Sequence, residues 1–406
     1  MQIVKIYQKG IDKKFCKEYD AYIISLKPKH KGRRLVIFER RENMKAKKLI
    51  ATAVTLGLFL TACGSNGSTP SGGNTGTPSP SGDTSTGEQI VLKYAAAEVT
   101  GTPEDDANLN FIKTIEEKSN GRIKVEYYNN SQLGNDKQVL VAAMGGTLDI
   151  VKSSAGNLMD YSEALAFTDL PGLFKSQPHV RAVFQDEDIR DQIAEQIQSD
   201  IGLVPINYDI DGGAARALFY NRSGGVAKVP SDMKGVKLRT TGSEIEMALF
   251  DQWGASSVPM NFNEVYLGLS QGTVEGLYGH PIGTYGNKLC EVTDYCTIID
   301  MSYVASVQLM SASCIEKLGG EGSELYNIVM EAGKELELYK DQLLNEKLET
   351  IMDEITAEGV EVYYPNDEEI ELWRESGQAV WGDYVGDGKM VSQDIVDKVL
   401  AIGEEF

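Results

Sequence analysis

Short apolar segments alternate with amphipathic ones after residue 89, and few protein folds are compatible with this order. Residues 90–95 and 122–128 are rich in aliphatic and aromatic side chains and predict strands. Between them, Thr102-Pro103 supplies an N-cap and a proline at the first helical position, and Asn120-Gly121 ends the helix. A second helix and a third strand, at residues 148–151, follow. Strands that alternate with helices at this spacing predict βαβ units and a mainly parallel sheet.

The same order of elements recurs further along the chain. Residues 235–240 and 274–277 predict strands, with helical patterns between them. A long helical pattern covers residues 322–358, and residues 367–406 predict helices with acidic faces. At 406 residues the chain is well over twice the ~150 of a typical domain, so we expect two α/β lobes rather than one core.

The charge of the chain argues against a nucleic-acid partner. Its 60 acidic residues outweigh 39 basic ones, and the formal net charge is -21 at pH 7. Binding to a phosphate backbone needs a basic face, so we predict that the protein binds no nucleic acid.

The N-terminal region predicts export and a lipid anchor. A short basic segment begins at Met44, and the apolar run that follows, residues 49–62, is shorter than the ~20 residues of a spanning helix. Leu60-Thr61-Ala62-Cys63 resembles the lipobox of bacterial lipoproteins, in which the cysteine becomes the lipidated first residue. We therefore predict a lipoprotein signal peptide at residues 44–62 and lipidation of Cys63. The alternative is a plain signal peptide with a cysteine there by chance.

The segments on either side of this signal are not expected to fold. A signal peptide is N-terminal, yet residues 1–43 precede it. Arg40-Arg41 can be encoded AGG-AGG, a ribosome-binding sequence, so we predict that residues 1–43 reflect a mis-set start; a real extension is the alternative. Residues 63–88 contain Gly, Ser, Thr and Pro without aromatic or aliphatic side chains, which is typical of a flexible linker.

Motifs for catalysis or metal binding are missing from the sequence. After residue 63 there are two histidines, His179 and His280, and there is no HExxH, CxxC, GxSxG or Walker motif. Residues 231–234 match SxxK, but they lie in a predicted loop before a strand, and a chance match is favoured. We predict no enzymatic activity, no cofactor and no metal site.

Two arginines are candidates for binding an anion. Arg239 ends a predicted strand, at the edge where open α/β sheets bind ligands, and a guanidinium can donate two parallel hydrogen bonds to a carboxylate. Arg216 interrupts an apolar stretch, where a charge needs a partner or water. From the residues alone, a structural arginine paired with an acid remains an open alternative at both positions.

Several blocks of the sequence resemble the solute-binding proteins of tripartite ATP-independent periplasmic (TRAP) transporters, of the dicarboxylate-binding type. The most specific block is residues 232–239, which read Asp-Met-Lys-Gly-Val-Lys-Leu-Arg. The other blocks follow in the family order and span most of the predicted folded part: residues 111–125, Gln132-Leu133-Gly134, residues 169–174, Pro259-Met260 and residues 264–276.

This resemblance implies an α/β, two-lobed fold like that of periplasmic binding proteins. Each lobe is expected to be a mainly parallel sheet flanked by helices, and a long helix is expected to span the hinge. The expected boundaries are residues 89–213 plus about 305–345 for lobe I, residues 214–304 plus about 346–380 for lobe II, and residues 381–406 for a C-terminal helical tail.

The resemblance also implies a set of ligand-binding residues. In that family the arginine at the position of Arg239 binds the ligand carboxylate, and Arg216 resembles a second arginine that often assists. Many members read Gly-x-Glu-Asn-Pro where this chain has Leu-Tyr-Gly-His-Pro at residues 277–281, so Tyr278 or His280 is predicted to replace the asparagine contact. The other predicted ligand-binding residues are Glu98, Ser154, Asn157 and Gly279.

The implied function is transport of a small organic acid. The protein is expected to lie outside the cytoplasm, anchored to the bacterial cell membrane by lipid on Cys63. It would capture a small carboxylate-bearing acid between its lobes and deliver it to the TRAP membrane permease subunits. A binding lipoprotein of an ABC transporter, which has a related two-lobed design, is the alternative, and an extracytoplasmic hydrolase is a remote one.

Overall fold

Two β-sheets flanked by helices make up the part of the protein that the structure describes. The structure is a computed structural model and describes residues 89–406. The predicted mis-set start at residues 1–43, the signal peptide at 44–62 and the linker with Cys63 at 63–88 lie outside the described residues.

Strands and helices alternate along most of the described chain. The strands are β1 (Ile90–Ala95), β2 (Ile123–Tyr128), β3 (Ile150–Ser154), β4 (Val204–Ala215), β5 (Ala217–Tyr220), β6 (Lys237–Thr240), β7 (Ser256–Pro259), β8 (Gly276–Gly279), β9 (Tyr295–Thr297), β10 (Tyr303–Met310) and β11 (Glu361–Tyr363). The α-helices are α1 (Pro103–Lys118), α2 (Asp136–Met144), α3 (Ala155–Leu158), α4 (Gln177–Gln185), α5 (Glu187–Ile201), α6 (Glu244–Gln252), α7 (Val265–Ser270), α8 (Pro281–Gly286), α9 (Ala312–Lys317), α10 (Glu324–Leu348), α11 (Ile351–Ala357), α12 (Asp367–Gln378), α13 (Trp381–Tyr384) and α14 (Gln393–Ile402).

The predicted start and end of α1 are confirmed. The Thr102 hydroxyl accepts a hydrogen bond from the backbone N–H of Asp105, and Pro103 occupies the first helical position. After the helix, Asn120 and Gly121 adopt positive φ angles of 52° and 74°, a conformation that Asn and Gly tolerate better than other residues. This cap and this turn direct the chain from β1 through α1 into β2, which pairs with β1 in parallel.

Both sheets are mainly parallel, as expected, and each contains one strand that runs antiparallel to the others. The first sheet has the order β2-β1-β3-β10-β4, and its strand β10 runs antiparallel to both neighbours. The second has the order β11-β9-β5-β8-β6-β7, and its strand β5 runs antiparallel to β8 and β9. The cause is that β4 continues almost directly into β5 in the other sheet, while β10 returns to the first sheet beside β4. No helical crossover makes these neighbours parallel.

The chain passes between the two sheets at Arg216, which separates β4 from β5. Its backbone N–H donates to the carbonyl oxygen of Ser302, on the segment that returns to β10, at 2.7 Å. Just before this point, Gly212 and Gly213 have φ angles of 69° and 60°, so the long strand β4 bends immediately before it leaves the first sheet. The two-lobed architecture is thereby confirmed.

The predicted long helix is also confirmed. Helix α10 has 25 residues and lies across β4 so closely that a Cβ on Gly333 would come within 2.5 Å of the Ile206 side chain. Leu336 packs in an apolar cluster of the first lobe, whereas Leu344 packs in one of the second. The helix therefore links the lobes. It ends at Leu348, and a separate helix, α11, continues the pattern that the sequence suggested was unbroken.

The C-terminal helices are divided between the two lobes. Trp373 of α12 is fully buried in the core of the second lobe, and Val396 and Val399 of α14 are buried in the first. None of the helices formed by residues 89–406 has the length and apolar character needed to cross a membrane.

Candidate ligand-binding site

A cavity of about 140 Å³ lies between the two lobes. All eight residues predicted to bind ligand line it: Glu98, Ser154, Asn157, Arg216, Arg239, Tyr278, Gly279 and His280. Residues from more than 180 positions of sequence thus converge on one space, as the resemblance implied. Their contact with a ligand stays a prediction.

Arg239 presents to this cavity a guanidinium whose terminal nitrogens have no hydrogen-bond partner among residues 89–406. It lies in β6, next to the carboxyl end of that strand, and only 6% of its surface is exposed. Its Nε donates to the carbonyl oxygen of Met260 at 2.9 Å, and its guanidinium lies over the Phe262 ring at 5.3 Å. Among residues 89–406 no carboxylate lies within 4.0 Å of it. Burial lowers the pKa of Arg239, yet a guanidinium stays charged at neutral pH.

Arg216 is buried as well, but it is already paired. Its terminal nitrogens lie 3.0 Å from Asp169 and 3.1 Å from Glu246, and the Tyr278 ring lies 5.6 Å from its guanidinium carbon. Although burial opposes the charge, the two carboxylates raise the pKa of Arg216. The alternative that the sequence left open, an arginine paired with acids, therefore describes Arg216 and not Arg239.

Tyr278 and His280 come from β8 and from the residue that caps α8. The Tyr278 hydroxyl accepts a hydrogen bond from Ser302 at 3.1 Å, and burial raises its pKa. The His280 Nδ1 accepts from the backbone N–H of Gly283 at 3.0 Å, which leaves Nε2 to carry the proton of the neutral ring. Burial lowers the pKa of His280 to about 4, so the ring is neutral at pH 7.

A buried cluster of charges at one wall of the cavity was missed by the sequence analysis. Lys152 of β3 pairs with Glu98 and, at 2.7 Å, with Asp211 of β4. Lys340 of α10 approaches Asp211 to 2.9 Å from behind. Although burial alone would raise it, the two lysines hold the pKa of Asp211 well below its usual range. A signal was present: Lys152 interrupts an apolar strand, and such a charge requires partners.

Two further carboxyls in the wall have no cation within 4.0 Å in the part of the chain that the structure describes. Asp136, the first residue of α2, accepts a hydrogen bond from the Asn157 amide at 2.6 Å, and burial raises its pKa to about 6. Glu104 is 6% exposed, burial raises its pKa, and its Oε1 has no hydrogen-bond partner among the described residues. The cavity is therefore basic at Arg239, which belongs to the second lobe, and acidic along the wall that the first lobe forms.

The described residues contain no cluster suited to a metal ion. No group of three or more His, Cys, Asp or Glu side chains between residues 89 and 406 has a geometry that would hold one. Cys290, Cys296 and Cys314 are buried free thiols. The arrangement is suited to holding a small polar molecule between two lobes through hydrogen bonds and charge.

Known proteins with the same organisation identify the family. The model of the bacterial extracellular solute-binding protein family 7, DctP, matches residues 95–387. The 2,3-diketo-L-gulonate-binding periplasmic protein of Escherichia coli (strain K12) is 28% identical over 253 residues, 62% of this chain and 74% of that protein. The C4-dicarboxylate-binding protein of Bacillus subtilis (strain 168) is 27% identical over 301 residues, 73% of this chain and 83% of that protein.

Solved structures agree. A TRAP periplasmic solute-binding protein from Bordetella bronchispeptica, with density attributed to pantoate, is 26% identical with a TM-score of 0.69 over 77% of this chain and 98% of that one. One from Shewanella oneidensis, with bound succinate, is 23% identical with a TM-score of 0.71 over 78% of this chain and 99% of that one, and shares the fold. Because the family model matches most of the chain, this protein belongs to the DctP family and is a TRAP transporter solute-binding protein.

Proposed function

We propose that this protein binds a small organic acid between its lobes and that Arg239 binds the carboxylate. The observation that carries the proposal is the state of the Arg239 guanidinium: buried, held in place by Met260 and without a carboxylate partner among residues 89–406. A buried cation needs a counter-charge, and an arginine can donate two parallel hydrogen bonds to a carboxylate. The solutes named for the relatives, diketogulonate and C4-dicarboxylates, are acids of this kind.

The roles of the other cavity residues follow from their partners. Arg216 is proposed to assist ligand binding from a fixed position, because Asp169 and Glu246 hold its terminal nitrogens. Ser154, Asn157, Tyr278 and Gly279 are proposed to complete the polar wall of the site, together with Glu98 and His280. None of these groups forms a nucleophile, metal or cofactor site, which supports binding and delivery rather than catalysis. Family membership likewise disfavours the ABC-transporter and hydrolase alternatives.

The division into lobes is part of the proposal. Sheet membership supports lobe I as residues 89–213 plus about 305–345, and lobe II as residues 214–304 plus about 346–380. Closure of these lobes about the crossing at Arg216 would exclude water from the cavity. Exclusion of water strengthens the interaction between a guanidinium and a carboxylate.

A thermal-shift screen of small organic acids on the purified full chain tests this function. A ligand at 100 times its Kd adds ~2.7 kcal/mol to the free energy of unfolding. For the best ligand, Arg239→Ala should weaken binding by ~30-fold to several thousand-fold, since truncating one partner of a buried charge pair costs ~2–5 kcal/mol. Arg374→Ala, on the exposed face of α12, is the control. Equal binding by wild type and Arg239→Ala would place the carboxylate elsewhere.

We also propose that the mature protein begins at Cys63 and is anchored to the membrane by lipid there. The basic segment, the short apolar run and Leu60-Thr61-Ala62-Cys63 support this anchor. Delivery to the TRAP permease subunits would then occur at the membrane surface. Mass spectrometry of the native protein should detect a diacylglyceryl-modified N-terminal cysteine. Peptides from residues 1–43 in a tryptic digest would contradict both the anchor and the start at Met44.

A further inference from the structure

The cavity is lined by more carboxyl groups than the binding of a ligand carboxylate accounts for. Four carboxyls line it, and all come from the first lobe: Glu98 after β1, Glu104 in α1, Asp136 at the start of α2 and Asp211 in β4. Lys152 forms ion pairs with Glu98 and Asp211, and Lys340 forms one with Asp211. Within residues 89–406 neither Glu104 nor Asp136 has a cation within 4.0 Å.

Unpartnered oxygens show where hydrogen-bond donors are missing. Oε2 of Glu98 and Oε1 of Glu104 are buried without any hydrogen-bond partner among the described residues. The Glu98 side chain is 9% exposed and residue Glu104 is 6% exposed, and both face the cavity. A buried acceptor that lacks a donor is unfavourable, so an occupant of the cavity is expected to supply donors here.

We propose that the ligand is an amino-bearing carboxylic acid, whose carboxylate binds Arg239 and whose ammonium group binds among Glu98, Glu104 and Asp136. The inference rests on the proposed function, because it takes Arg239 as the carboxylate site. The first lobe then binds the cationic end of the ligand and the second lobe binds the anionic end. Both ends of a zwitterion are satisfied only when the lobes enclose it.

An ammonium group fits this wall better than the two obvious alternatives. A second carboxylate would approach Glu104 and Asp136, which have no cation within 4.0 Å among residues 89–406, in a low-dielectric cavity where like charges repel strongly. A hydroxyl donates one hydrogen bond but leaves the surplus negative charge in place. An ammonium donates three hydrogen bonds and neutralises one of the carboxyls. Burial raises the pKa of Glu104 and that of Asp136, and raised values are consistent with a missing cation beside these carboxyls.

The size of the cavity limits the ligand further. A volume of about 140 Å³ is close to that of an engineered cavity that holds one benzene molecule, roughly six non-hydrogen atoms. Amino acids with short side chains are of this size. A cavity of this size favours a small amino acid as the ligand.

Matched sets of acids on the purified full chain test the inference. The 2-, 3- and 4-aminobutyrates differ from the corresponding hydroxybutyrates by one group, and succinate replaces that group with a carboxylate. Calorimetric titration should show at least one aminobutyrate binding about tenfold or more tighter than its hydroxy counterpart and than succinate. A hydroxybutyrate or succinate that binds as tightly as every aminobutyrate overturns the inference and leaves the proposed function intact. Failure of all of these acids to bind also overturns the inference, whereas the thermal-shift screen of organic acids decides the proposed function.

Two isosteric variants locate the ammonium site. Glu104→Gln and Asp136→Asn remove the carboxyls that lack a cation, whereas Glu98→Gln would disrupt the pair with Lys152 and is less informative. Each variant should weaken the aminobutyrate about tenfold while leaving hydroxybutyrate binding unchanged or tighter. Glu195→Gln, exposed on α5, is the control, and unfolding curves show whether each variant is folded. Equal loss for both classes of acid in folded variants would contradict an ammonium site.

Discussion

The Nε of Arg239 donates a hydrogen bond to the carbonyl oxygen of Met260 at 2.9 Å, and this bond sets the direction of the guanidinium. The Phe262 ring, 5.3 Å from the guanidinium carbon, limits its rotation. Both terminal nitrogens are left without a hydrogen-bond partner among residues 89–406. Two parallel donors are therefore oriented before any ligand arrives, which reduces the entropy lost on binding.

Arg239→Lys should bind the best ligand more weakly than wild type but more tightly than Arg239→Ala. Lysine keeps the positive charge, but it cannot donate two parallel hydrogen bonds and loses the bond to Met260. The thermal midpoint without ligand should not fall in either variant, because Arg239 is desolvated without a carboxylate partner. Calorimetric titration gives the affinities, and Arg374→Lys is the control. Affinity of Arg239→Lys equal to wild type would mean that charge alone is recognised.

Arg216→Ala should instead destabilise the protein. Removing this guanidinium leaves Asp169 and Glu246 buried without a counter-charge, and breaking a buried ion pair in this way costs ~3–5 kcal/mol. Denaturant unfolding of the protein without ligand measures the loss.

The matched control removes the two charges that Arg216 compensates. Adding Asp169→Asn and Glu246→Gln to Arg216→Ala should recover part of the lost free energy of unfolding. Unchanged stability together with a loss of binding as large as that of Arg239→Ala would show that Arg216 is a ligand donor and not a structural residue.

Elements set by local chemistry were predictable from the sequence. The start of α1 needs only Thr102, Pro103 and the acids after them, so capping rules place it. The pairing of β4 with β10 could not be derived in this way, because it joins segments about a hundred residues apart through a change of sheet at Arg216. The sequence therefore did not predict that β10 and β5 would run antiparallel to the other strands of their sheets.

Site residues were predictable where they belong to a motif that resembles the family. Arg239 closes the most specific of the blocks that resemble the family, and it lies in the cavity. The pairs of Asp211 with Lys152 and Lys340 span 59 and 129 positions, and no local pattern connects residues so distant. The acidic wall was missed for the same reason: Asp136 and Glu104 resemble ordinary first-turn acids until the fold places them in the wall of the cavity.

Tyr278→Phe should weaken binding of the best ligand by roughly fivefold. The hydroxyl accepts from Ser302 and keeps its own proton, because burial raises its pKa, so it can donate to the ligand. A hydrogen bond of this kind contributes ~1 kcal/mol. Ser302→Ala retains the Tyr278 hydroxyl and should have a smaller effect. Unchanged affinities for all acids in Tyr278→Phe and in His280→Ala would refute the prediction that this segment sets ligand choice.

Asp136→Asn should stabilise the ligand-free protein at neutral and alkaline pH. Burial raises the pKa of Asp136 in the folded protein from 3.8 to about 6, so the folded state holds a proton that the unfolded state releases earlier. Its contribution to stability is complete below pH 3.8 and is lost as the pH rises to about 6. Two pKa units correspond to ~3 kcal/mol.

The asparagine variant lacks this titration and keeps a side-chain oxygen that can accept from Asn157. Its free energy of unfolding should therefore match that of wild type at low pH and exceed it by up to ~3 kcal/mol above neutral pH. Denaturant unfolding across the acid range measures the difference. Asp188→Asn is the matched control, because Asp188 also lies in the first turn of a helix but is exposed. Parallel pH profiles for wild type and Asp136→Asn would show that folding does not raise the pKa of Asp136.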